Sequence, residues 1–158
     1  MKGEIITRPA VTDDAGYIRY SLWNLAHDRR SSPHRNDRSV AQLEGVIEDP
    51  DATRKLFVAE IAGLGHSALV GVADISLTPT FVWSPRPKIL IEGVSTDELY
   101  RDHRVGERLL GGIYNYADSI QGAGVVMDAA LTNDPSLKVL LGGAKAIPND
   151  IQDFQNQT

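Results

Sequence analysis

The sequence predicts an α/β (α+β) fold, a single domain whose mostly antiparallel central sheet is flanked by about four helices. Three observations carry that expectation. Apolar, β-prone runs at residues 56–61 and 68–75 are joined by Gly63-Leu64-Gly65-His66, the pattern of an antiparallel hairpin. A third apolar run, Ile89-Leu90-Ile91-Glu92-Gly93-Val94, leads through a polar corner into Arg101-Asp102-His103-Arg104-Val105-Gly106, then at once into a helical pattern and a further apolar run at 125–131. The order there is strand, basic loop, helix, strand. With 158 residues, no internal repeat and no long linker, the chain has the size of one domain with a real core.

The other elements follow from local signals. Ile5-Ile6-Thr7-Arg8 is β-prone and stops at Pro9, which cannot donate to a ladder. Thr12 precedes Asp13-Asp14 as a helix N-cap followed by first-turn acids. Ala15, Ile18, Leu22 and Leu25 then recur at helical spacing through about Arg29. Val40, Leu43, Val46 and Ile47 mark a second, short helix that ends before Pro50. Gly63 and Gly65 imitate the start of a nucleotide fingerprint, but a strand follows instead of a helix, so the hairpin reading holds. Residues 78–87 hold three prolines and form a loop or irregular edge. Leu109, Ile113, Ala117 and Ile120 give the next helix an apolar stripe, closed by Gly122 and Gly124. Asp134-Pro135 opens a last helix, with proline near its first turn. The expected order is β-α-α-β-β-β-α-β-α over residues 1–144, with 145–158 a short polar tail.

Composition excludes several classes. Hydrophobic residues make up 42% and charged ones 23%, as in a folded globular protein and unlike a disordered one. The absence of cysteine rules out disulfides, thiolate metal sites and a cysteine nucleophile. Met1 to Arg8 lack the apolar stretch of a signal peptide, and no window approaches the ~20 apolar residues of a membrane span. A cytoplasmic protein with no membrane partner is expected. The net charge of −5 argues against a nucleic-acid partner. Arg29-Arg30, His34-Arg35 and Arg38 form a basic cluster that reads as a solvated loop or a substrate-side contact. His27, His34, His66 and His103 lack metal-ligand spacing, so no metal is expected, and no G-x-S-x-G supports a hydrolase.

The basic loop points to function most directly. A helix N-terminus leaves its first N–H groups unpaired and carries partial positive charge. Beside Arg101, Arg104 and a glycine it is a ready site for phosphate or pyrophosphate. This segment resembles the acetyl-CoA-binding motif of the GNAT acetyltransferase superfamily, Q/R-x-x-G-x-G/A, with Arg101, Val105 and Gly106 in place. Leu99-Tyr100-Arg101 resembles the usual approach to that motif. Its first glycine is Arg104 here, which either tilts the loop or adds a charged contact. The order of elements is also similar to that family up to its last helix.

The resemblance implies acetyl-CoA as co-substrate, with Arg101, Arg104, Val105, Gly106 and Glu107 at its pyrophosphate. Val94, Ser95 and Thr96 would offer backbone groups to the pantetheine arm, a pairing that needs no special side chain. Glu92 lies in an otherwise apolar strand, where burial raises a carboxylate's proton affinity and suits it to deprotonate an ammonium. It resembles the strand glutamate that some GNAT enzymes use as base. A hydrogen-bonded or edge-facing acid is the alternative, and Asp74 on the neighbouring strand is a weaker candidate. Asn133, with Pro135, Leu140 and Gly143-Ala144, resembles the family's final motif, in which a tyrosine protonates the leaving thiolate. Asn133 matches, and Leu140 stands where the tyrosine is expected. Glu92 and Asn133 are the catalytic candidates.

The family usually adds two more strands, for which the chain after Ala144 is too short. A truncated sheet edge is implied, left short or completed by a second copy in a homodimer. The functional expectation is an N-acetyltransferase that moves acetyl from acetyl-CoA to a primary amine of a small molecule or protein. The alternative is a GNAT-fold protein without catalysis, acting as a CoA-binding or protein-interaction module.

Overall fold

The computed structural model describes residues 3–28, 40–63, 66–78, 86–122 and 124–127, together with Thr132, Asp134 and Leu137. Five strands form one sheet in sequence order: β1 Glu4–Pro9, β2 Arg54–Gly63, β3 His66–Thr78, β4 Lys88–Thr96 and β5 Gly124–Met127. Neighbours among β1 to β4 are antiparallel, and β5 runs parallel to β4. A parallel neighbour requires a crossover, here α3 (Val105–Ser119). The expected hairpin is β2–β3, paired from Arg54↔Ser76 to Gly63↔His66. Two further helices, α1 (Ala15–Asp28) and α2 (Val40–Glu48), lie between β1 and β2 in the chain.

Strand alternation sorts the side chains to two faces. Phe57, Ala59, Ala73, Ile75 and Ile91 pack with Val105, Leu109 and Ile113 of α3. Leu56, Val58 and Val72 point the other way and meet Ala15 and Ile18 of α1 and Leu43 of α2. Each fully buried aliphatic side chain is worth roughly 1.5–3 kcal/mol. α3 is pressed close to the sheet: a Cβ on Gly112 would collide with Thr7, whose hydroxyl donates to the Arg108 carbonyl (2.8 Å).

Two local expectations are corrected. Thr12 is not a helix cap. It opens a 3-10 turn, Thr12–Asp14, in which the Asp14 carboxylate accepts the Val11 N–H (2.8 Å). The end of α3 takes its left-handed residue from Gln121 (φ 53°), while the Gly122 N–H returns to the Ala117 carbonyl (2.8 Å). The first part of the expected strand at 125–131 is β5, residues 128–131 lie outside the described residues, and Thr132 bridges to Val94. The basic cluster at 29–38, most of the last helix and the tail at 145–158 lie outside the described residues. Among the described residues no helix is long and apolar enough to cross a membrane.

Candidate functional site

The loop before α3 is built by a change of backbone hand. Asp97 accepts the Leu99 N–H (2.9 Å) and starts a 3-10 turn, Glu98–His103. Arg104 follows with φ 59° and ψ 36°, left-handed, and heads α3. A side chain in that conformation costs roughly 1–2 kcal/mol, so only a position with a geometric purpose tolerates it. The Arg104 side chain is 78% exposed and its Nε lies 3.9 Å from Glu107 Oε2. Arg101 reaches Glu98 at 3.5 Å, another weak surface contact. Below that surface, Arg101 Nε and His103 Nδ1 are buried with no hydrogen-bond partner among the described residues. An orphaned buried polar group costs about 1–3 kcal/mol, and here both lie in a basic loop leading into a helix N-terminus. The arrangement fits an anionic ligand group.

One amide of that N-terminus is already taken. Gly106 N–H donates to Asp134 Oδ2 (3.3 Å), while Asp134 Oδ1 accepts the Leu137 N–H (3.2 Å). Asp134 is 1% exposed, and a Cβ on Gly106 would sit 2.7 Å from its carboxylate. The glycine is therefore required for close approach of this acid.

The middle of β4 departs from a regular ladder. Asp74 pairs with Gly93 and Ile75 with Ile91, so Glu92 is the extra residue of a β-bulge. It lies on the α1/α2 face, half-buried, with Ser76 Oγ donating to its Oε1 (3.0 Å). On the same face Arg54 clasps Asp74 through Nε (2.7 Å) and the second terminal nitrogen (2.6 Å). The Asp74 hydrogen bonds outweigh burial and, with the charges of Asp74 and Glu92, push the Arg54 guanidinium above its ordinary value. Leu22, Leu43, Val46 and Leu56 wall a narrow pocket beside this pair. On the other edge, β4 pairs with β5 from Lys88 to Ile91, and Val94 bridges to Thr132.

Known structures share this architecture. A "possible acetyltransferase" from Clostridium difficile 630 superposes with a TM-score of 0.67 at 17% identity, covering 92% of this chain and 89% of that one. An aminoglycoside N-acetyltransferase in complex with CoA gives 0.65 at 15% identity, covering 93% and 88%. An acetyltransferase from Trypanosoma brucei gives 0.62 at 21% identity, covering 90% and 91%. The chain has the GNAT fold. No protein-family model matches the sequence, and no curated protein matches it.

Within the GNAT fold the expected residues fall into two groups along β4. Arg101, Arg104, Val105, Gly106 and Glu107 come together at the start of α3, with Val105 and Gly106 buried and the two arginines at the surface. Val94, Ser95 and Thr96 are buried at the end of β4 leading to that loop. Their side chains face the interior, Ser95 accepting from the Ser21 hydroxyl (3.1 Å), so only their backbones could serve a ligand. Glu92 lies further back, on the α1/α2 face. Asp74, the weaker candidate base, is committed to Arg54. Asn133 and Leu140 lie outside the described residues. Sequence reasoning missed Arg54, Ser76 and the double use of Asp134. Asp134-Pro135 did signal a helix start, and its Leu137 N–H bond has the spacing of a cap.

Proposed function

We propose that this protein is an acetyl-CoA-dependent N-acetyltransferase acting on a primary amine. The observation that carries the reading is the loop before α3: a left-handed Arg104, a helix N-terminus and a buried, unpartnered Arg101 Nε stand in one place. Arg101, His103 and the loop amides would hold the pyrophosphate. β4 would hold the pantetheine arm through its backbone. Acetyl-CoA supplies an activated acyl group as a thioester.

Glu92 takes a proton from the acceptor ammonium, directly or through one water, and frees its lone pair. The C–N bond then forms as the C–S bond breaks, the nitrogen sheds its second proton to solvent, and CoA leaves as a thiolate that takes up a proton from solvent. Backbone amides of β4 at the bulge would polarise the thioester carbonyl. Holding amine and thioester together supplies much of the rate, which makes turnover compatible with Leu140 in place of the expected tyrosine. Relatives of this fold act on aminoglycosides and on a ribosomal-protein alanine, which supports an amine acceptor without naming it.

The second reading, a CoA-binding module without turnover, is favoured by the buried Asp134 carboxylate at the Gly106 amide. Thiol release from acetyl-CoA with a panel of amines separates the two. Turnover with at least one amine, lost strongly near neutral pH in Glu92→Gln at unchanged CoA affinity, supports the enzyme. That loss should shrink as pH rises and the amine is already neutral. CoA binding without release for any amine selects the module.

A further inference from the structure

We infer that Ser76 is the positioning residue of the base, an inference that rests on Glu92 serving as that base. The bulge is what makes the contact possible. With Asp74 opposite Gly93 and Ile75 opposite Ile91, Glu92 has no ladder partner of its own on β3, and its side chain is free to lean along the strand toward Ser76. The Ser76 hydroxyl donates to Oε1 at 3.0 Å, while Oε2 has no hydrogen-bond partner among the described residues. One oxygen is fixed and the other is left for the acceptor ammonium.

The charges around this pair are arranged to keep that oxygen available. The cation nearest the face, Arg54, is bound by both Asp74 oxygens at 2.6 and 2.7 Å, so it contributes a positive field at Glu92 without closing on it. Arg19 of α1 is the other charged group lining the same pocket. Its remaining walls, Leu22, Leu43, Val46 and Leu56, are aliphatic. A glutamate on so sparse a face would sample several rotamers, and the serine selects one.

The test uses Ser76→Ala, Ser76→Thr, Glu92→Gln and the double variant Ser76→Ala/Glu92→Gln. In acetyl-CoA turnover, Ser76→Ala should lose roughly tenfold in kcat, the scale of a misplaced reacting group, with CoA affinity unchanged. Ser76→Thr, which keeps the hydroxyl, should recover most of it. In the Glu92→Gln background Ser76→Ala should cost nothing more, because residues acting as one unit do not add. A wild-type rate for Ser76→Ala with Glu92→Gln impaired overturns the role of Ser76 alone. A wild-type rate for Glu92→Gln overturns the base and the serine together.

A second readout needs no acceptor. With 13C-labelled glutamate in the CoA-bound protein, the Glu92 side chain should give one sharp set of signals in wild type and Ser76→Thr, and averaged or exchange-broadened signals in Ser76→Ala. Equally sharp signals in wild type and Ser76→Ala overturn the inference.

Discussion

The two faces of the sheet are made by the same strands and hold different things. On the α3 side Ile75, Ile89, Ile91, Val94 and Val125 meet Leu109 and Ile113 with nothing charged among them. On the α1/α2 side the aliphatic run of Leu56, Val58 and Val72 gives way to Asp74, Glu92 and Ser95. The first face fixes where β4 and the N-terminus of α3 sit. The second keeps polar groups half-dry because each has a partner: Arg54 for Asp74, Ser76 for Glu92, Ser21 for Ser95. Burial of an unpartnered charge would be prohibitive, so chemistry is possible only where the fold has already supplied its counterparts.

Substitutions on the two faces should therefore fail differently. Ile75→Ala on the α3 face should cost about 2–5 kcal/mol in urea unfolding, the usual price of a core truncation. Asp74→Ala should cost about 3 kcal/mol, since it strands Arg54 on a partly buried face, at the low end because that side chain is 31% exposed. Replacing both partners by apolar residues, Arg54→Met with Asp74→Leu, should return much of that stability. If the double replacement is as unstable as Asp74→Ala, the polar face is held by more than this pair.

A smaller effect sits at the edge of the sheet and is visible by pH. Burial raises the Asp14 carboxyl, but its hydrogen bond from Arg8, the Val11 N–H and the Arg8 charge outweigh it and hold it below the ordinary value of 3.8. A lowered folded value means stability that is present above pH ~4 and lost as pH falls through the folded value. Asp14→Asn should be less stable than wild type near neutral pH, and the gap should narrow below pH ~4 in thermal melts. A constant gap would assign the loss to packing instead of charge.

The smallest effect is expected at the loop. Arg104→Gly relieves a left-handed side chain and adds chain entropy to the unfolded state, for a net gain of about 0.5–1 kcal/mol. Arg104→Ala should bring no such gain. Equal stability of the two variants would mean that the left-handed turn carries no strain.

The strand–loop–helix order and the hairpin were legible because they rest on local signals: alternation, turn residues and an apolar stripe. The Glu92 bulge was not, because it arises from how β3 and β4 pair and leaves no trace in either strand alone. Asp74 and Glu92 both read as isolated acids in apolar runs. Their separation into a clasped carboxylate and a serine-bound one depends on Arg54 and Ser76, which carry no motif. At the loop the sequence placed Arg104 at the family's glycine, and the left-handed backbone explains why a glycine suits that position. Asp134 was read as a helix start, but its second contact, to Gly106, joins residues 28 positions apart and has no local signature.

The central claim is that the loop before α3 binds the pyrophosphate of CoA. Titrating the 15N-labelled protein with CoA tests it without an acceptor amine. The amides from Arg101 to Glu107 and the Arg101 Nε–H should shift together and saturate, while amides of β1, at the far edge of the sheet, stay in place. No shift in the loop at millimolar CoA, or shifts confined to other segments, would contradict it.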